Sequence, residues 1–122
     1  MTSPNQVKGA RAEETVARFL REHGFPSAER IRVKHPDRGD IGGLTDWTIE
    51  VKNIGKLTLA NAVDQMCRAR VTTATPWGVA VLQRRNHAAG RWFAVAELGQ
   101  WVATARLLDE TGPCEQCGGG AA

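Results

Sequence analysis

Asp46-Trp47-Thr48-Ile49-Glu50-Val51-Lys52-Asn53 decides how this chain of 122 residues is read. Trp47, Thr48, Ile49 and Val51 favour an extended backbone, so the stretch reads as a β-strand. Alternate side chains on a strand share a face. Glu50 and Lys52 therefore project together, and Ile49 and Val51 point the other way. A carboxylate and an ammonium side by side, with Asp40 opening the preceding strand, can hold a divalent cation and activate a water. The triplet also reads as a solvated ion pair, and the strand by itself leaves both readings open.

Upstream, residues 6–23 suit an amphipathic helix ending near Gly24. At about 100° per residue, Gly9, Ala10, Val16, Ala17 and Leu20 gather on one side, flanked by Ala12 and Phe19. Lys8, Arg11, Glu14, Thr15, Arg18 and Arg21 take the other. Glu13 falls within the apolar stripe, where an unpaired carboxylate is costly, so it needs a cation, a basic partner or a proton. A buried Arg or Lys would satisfy it structurally. The functional alternative sets Glu13, Asp40 and Glu50 around one point, where three repelling carboxylates invite a hard metal ion.

Three segments carry a family resemblance: Lys8-Gly9-Ala10-Arg11-Ala12-Glu13-Glu14, Gly39-Asp40-Ile41-Gly42-Gly43-Leu44 and Ile49-Glu50-Val51-Lys52-Asn53. Together they resemble the restriction-endonuclease-like nuclease superfamily, named for its Pro-Asp…(Asp/Glu)-x-Lys motif. Within it, the opening helix is similar to that of archaeal-type and bacteriophage Holliday junction resolvases. The resemblance runs from about Lys8 to Leu108. It implies that Glu13, Asp40 and Glu50 bind Mg²⁺, with Mn²⁺ as a substitute, and that Lys52 is the catalytic lysine. The backbone carbonyl of Val51 is implied as a further metal ligand. A literal Pro36-Asp37 precedes Asp40. We assign the motif position to Asp40, because a Gly-rich strand follows it, whereas Asp37 sits in a Pro-bounded turn.

The rest of the chain fits an α/β fold of order αβββαββα, a mixed sheet flanked by helices. Strands are expected at 28–34, 39–44, 77–82 and 92–95. A helix from Thr58 to about Thr73 should bury Leu59, Ala60, Val63, Met66, Cys67 and Ala74, and turn Asn61, Asp64, Gln65 and Arg68 outward. Arg70 lies in the apolar stripe, free to snorkel or to reach the carboxylates. A last helix, about 97–108, should turn Leu98, Trp101, Val102, Ala105 and Leu108 inward. One nuclease domain, 1–108, is expected, followed by a Gly- and Cys-containing tail, 109–122. The tail's Cys114 and Cys117 make half a zinc site at best.

No long apolar run or signal-like segment is present, so a cytoplasmic protein is expected, in the host cytoplasm for a viral source. The net charge of +3 understates the basic surface if acidic residues are spent in a metal site. Lys8, Arg11, Lys34, Arg38, Arg84 and Arg85 are candidates for phosphate contact, with Gln65 and Arg68 on the helix after the catalytic strand. The expected activity is symmetric hydrolysis of four-way DNA junctions. A junction offers two-fold related phosphates, so a homodimer follows. Other nucleases of the superfamily (flap, single-strand or general) and a non-catalytic DNA-binding module are the alternatives.

Overall fold

A computed structural model describes residues 4–32, 38–53 and 59–111. Helix α1 is Pro4–Glu22, then come the short strands β1, Glu29–Arg30, and β2, Ile41–Gly42. Strand β3 is Trp47–Asn53, helix α2 Leu59–Thr73, and strand β4 Trp77–Gln83. A 3₁₀ turn at Ala89–Arg91 leads into β5, Phe93–Val95, and helix α3 is Leu98–Thr111. The αβββαββα order matches the expectation. The edges of the first two strands do not: 33–34 lie outside the described residues, and pairing is confined to two residues in each strand. Thr58 and the Cys114–Cys117 tail also lie outside the described residues.

The five strands form one mixed sheet in sequential order. Only β3 and β4 run parallel, from Trp47 beside Trp77 to Asn53 beside Gln83, and α2 makes the crossover between them. Every other pair is antiparallel.

Strand alternation builds two cores. On one face Ile41, Ile49 and Val51 pack under Ala12, Val16 and Ala17 of α1, with Val79, Val81 and Trp92 at the border. On the other, Ala80 meets Ala62 and Met66 of α2, with Leu82 beside them. Gly78 is needed here, because a Cβ at that position would run into the Met66 side chain. Arg21 ties α1 to the sheet, donating to the Ala28 carbonyl at 2.9 Å and to Glu14 at 2.8 Å. That hydrogen bond holds the Glu14 carboxyl below its ordinary pKa.

Two helical faces differ from the sequence reading. The buried stripe of α2 is Ala62, Met66 and Ala69, whereas Leu59 and Ala60 face solvent. The small alanines let α2 approach the sheet closely, so size complementarity outweighs hydropathy. Ala74, expected in the stripe, instead takes φ 54° and ends the helix exposed. On α3 most of the expected inward face stays exposed: Leu98 is 74% and Trp101 60% exposed, and Val102 and Leu108 are exposed too, whereas Ala105 is half-buried. A polar contact ties α3 to the sheet. Strand β5 pairs only with Ala80, Val81 and Leu82, and the Gly78 N–H before them is taken by the Gln100 side-chain oxygen at 2.8 Å.

Candidate active site

Asp40 is held by its backbone and its side chain together. Its N–H donates to the Ile49 carbonyl at 2.8 Å, and its own carbonyl accepts the Ile31 N–H at 2.9 Å. Its Oδ2 accepts the Val51 N–H at 2.8 Å. The carboxylate of Asp40 thus bonds one neighbour of Glu50 while its backbone bonds the other. Gly39, at φ 82°, makes the bend that delivers Asp40 to this place.

Glu50 and Lys52 project from β3 as the alternation requires. Parallel register sets Glu50 beside Ala80 and Lys52 beside Leu82, so both lie on the face that α2 covers. Glu50 is 7% exposed. Lys52 Nζ stands 3.8 Å from Glu50 Oε2, a contact that keeps an ammonium at the carboxylate without a tight hydrogen bond.

Glu13 is buried at 8% exposure, as its place in the stripe of α1 predicts. Its helix, α1, packs over the Ile49–Val51 face of β3. Among the described residues no three His, Cys, Asp or Glu side chains stand together as a metal-holding group. Asp40 and Glu50 are linked through β3, since Asp40 bonds both neighbours of Glu50.

As a donor set, two hard carboxylates fit magnesium, which binds through one or two carboxylates and keeps several waters. The expected contribution of Val51 has a second side: its N–H orients Asp40, whatever its carbonyl does.

The basic candidates distribute unevenly. Lys8, Arg11, Arg38, Arg68 and Arg85 are exposed, and Gln65 and Arg84 are half-buried. Lys34 lies outside the described residues, as do Pro36 and Asp37. Arg38 stands at a cleft of about 360 Å³ with Thr48, Thr73 and Thr75, further back along β3 from Glu50. Arg70 does not reach the carboxylates. Its Nη1 donates to the Pro76 carbonyl at 3.2 Å, at the far end of the sheet from Lys52.

Sequence reasoning missed the hydroxyl cluster behind Glu50. Thr48 is buried, and its Oγ lies 2.9 Å from that of Thr73 and 2.5 Å from that of Thr75. Thr73 donates onward to the Ala69 carbonyl at 2.8 Å. The cluster bolts the end of α2 to the start of β3. The only available signal was a polar Thr48 on the inward side of the strand. No family model, curated protein or solved structure matches the chain.

Proposed function

We propose that this chain is a magnesium-dependent endonuclease that resolves four-way DNA junctions by symmetric phosphodiester hydrolysis, acting as a homodimer. The observation that carries the reading is Asp40 locked across the strand from Glu50, with Lys52 next on the same face. The resemblance of the same residues to the Pro-Asp…(Asp/Glu)-x-Lys motif adds to it.

In this reading Asp40 and Glu50 hold the ion, with the Val51 carbonyl alongside, and Glu13 acts through a water. Bound there, Mg²⁺ supplies acidification of a water and compensation of charge at the phosphate. Lys52 orients the attacking water and places its ammonium against the oxygens that gain charge in the transition state. The water oxygen bonds to phosphorus, one ester P–O bond breaks, and the leaving oxygen takes up a proton. The fixed backbone of Asp40 lets the site form without reorganisation.

The homodimer supplies a second site for the second strand. The exposed apolar side chains Leu98, Trp101 and Val102 of α3 are the surface we assign to it. The reading is compatible with a chain in which no helix of the described residues is long and apolar enough to cross a membrane.

The deciding experiment incubates the protein with a synthetic four-way junction and with linear, flap and single-stranded DNA, with and without Mg²⁺. Paired symmetric nicks in the junction, dependent on Mg²⁺, are the expected result. Indiscriminate degradation moves the chain to a general nuclease, and binding without cleavage to a DNA-binding module.

A further inference from the structure

Lys52, Leu82 and Phe93 form one row across the sheet. Lys52 pairs with Leu82 in the parallel register, and Leu82 with Phe93 in the antiparallel one. Paired residues share a face, so Phe93 projects on the same side as Lys52 and Glu50. Two inter-strand steps separate Phe93 from Lys52, about 10 Å. Leu82 is packed by α2, but Phe93, on the edge strand, is 45% exposed.

Phe93 is not a bare apolar ring. The Arg84 guanidinium lies 5.4 Å from its centroid, on the same side of the hairpin. Arg85 and Arg91 are exposed on the same connection. That connection is well braced. The Trp92 indole N–H donates to the His87 carbonyl at 2.9 Å, and the Arg91 N–H to the Ala88 carbonyl at 2.8 Å. An exposed aromatic face, a guanidinium stacked on it and further cations around it match what unpaired nucleotides require: a ring for the base and charge for the phosphates.

We propose that Phe93 and Arg84 form a stacking platform for an unpaired nucleobase, next to the phosphate that is cut. This rests on the nuclease reading for its second half only. A spacing of about 10 Å corresponds to roughly three nucleotides of a stacked strand, and to fewer once the strand is unstacked and extended. The platform therefore receives a base splayed out at a branch point while Lys52 meets the backbone. A fully stacked duplex offers no free base, so the platform contributes selectivity for branched over linear DNA.

The test measures binding by fluorescence anisotropy in EDTA, where no cleavage occurs. Four-way junctions carry either a normal nucleotide or an abasic one at each position within three of the branch point. At one position the wild type is expected to bind the base-bearing junction about 5- to 150-fold more tightly than the abasic one. Phe93→Ala should erase that difference and Phe93→Trp restore it, with circular dichroism confirming that both variants fold. Equal affinity at every position in the wild type, or a difference that persists in Phe93→Ala, overturns the platform. Cleavage with Mg²⁺ is scored separately. Cutting without a base effect removes only the platform, and a base effect without cutting removes only the nuclease reading.

Discussion

Asp40 and Val51 are joined by a hydrogen bond of 2.8 Å from the Val51 N–H to the Asp40 carboxylate, across the strand position that Glu50 occupies between them. A carboxylate that caps a neighbouring strand's amide is oriented before any ligand arrives. Its geometry is set by the sheet rather than by what it binds.

Removing the charge at each position tests the roles. Asp40→Asn, Glu50→Gln and Lys52→Ala are expected to reduce Mg²⁺-dependent junction cleavage by at least about a hundredfold, the scale of a lost electrostatic contact in a transition state. Junction affinity in EDTA should stay within a few-fold of wild type. Glu13→Gln should show a smaller loss, because in this reading Glu13 acts through a water and not as a direct ligand. Wild-type turnover in all four variants would contradict the assignment.

Gly39 tests whether placement of Asp40 matters beyond its charge. Alanine there must adopt φ 82° and bring its Cβ to 3.3 Å from the Ile49 carbonyl oxygen and the Thr48 methyl. The strain should lower stability by about 1–2 kcal/mol. Cleavage should fall by more than the loss of folded protein explains. Urea unfolding alongside the cleavage assay separates the two effects.

Trp101 tests the dimer surface. In a single chain it is 60% exposed, so Trp101→Glu should leave monomer stability within about 0.5 kcal/mol of wild type. Sedimentation equilibrium at micromolar concentration is expected to show wild-type dimer and variant monomer. Wild-type monomer alone would remove the dimer from the proposal.

Cys67 gives a pH-dependent signature. Burial, and then its hydrogen bond to Glu97 at 3.1 Å, push its thiol up to about 11 from an ordinary value of 9.0. The unfolded chain therefore loses this proton first as pH rises. The stabilising contribution is complete below about pH 9 and disappears towards about pH 11. At pH 8 the thiolate fraction should be about a hundredfold below that of a free cysteine, so alkylation of the Cys67 peptide by iodoacetamide should be slow. Glu97→Gln should speed it measurably. Equal rates for wild type and variant would show that the carboxylate has no influence.

Much of the site was legible because its signals are local. Trp47–Asn53 forms the expected strand, with Glu50 and Lys52 on one face, since alternation is a property of the extended backbone. Glu13 is buried because the period of α1 places it among Ala12, Val16 and Ala17. Periodicity misjudged α3. Leu98 and Trp101 line one side of it, yet they stay largely exposed at a pocket shared with Trp47, Val79 and Val95. It also failed on α2, where Ala62 and Ala69, not Leu59, meet the sheet.

The residues alone determined the order of elements, the shared face of Glu50 and Lys52, and the burial of Glu13, because each follows from spacing along one helix or strand. Only the tertiary structure decided that Asp40 is clamped to Val51, that α1 and α2 cover opposite faces of the sheet, and that Lys52 and Phe93 share a row. Those relations depend on strand register and on which face each helix covers. They join residues distant in the chain, and packing fixes them where periodicity is silent.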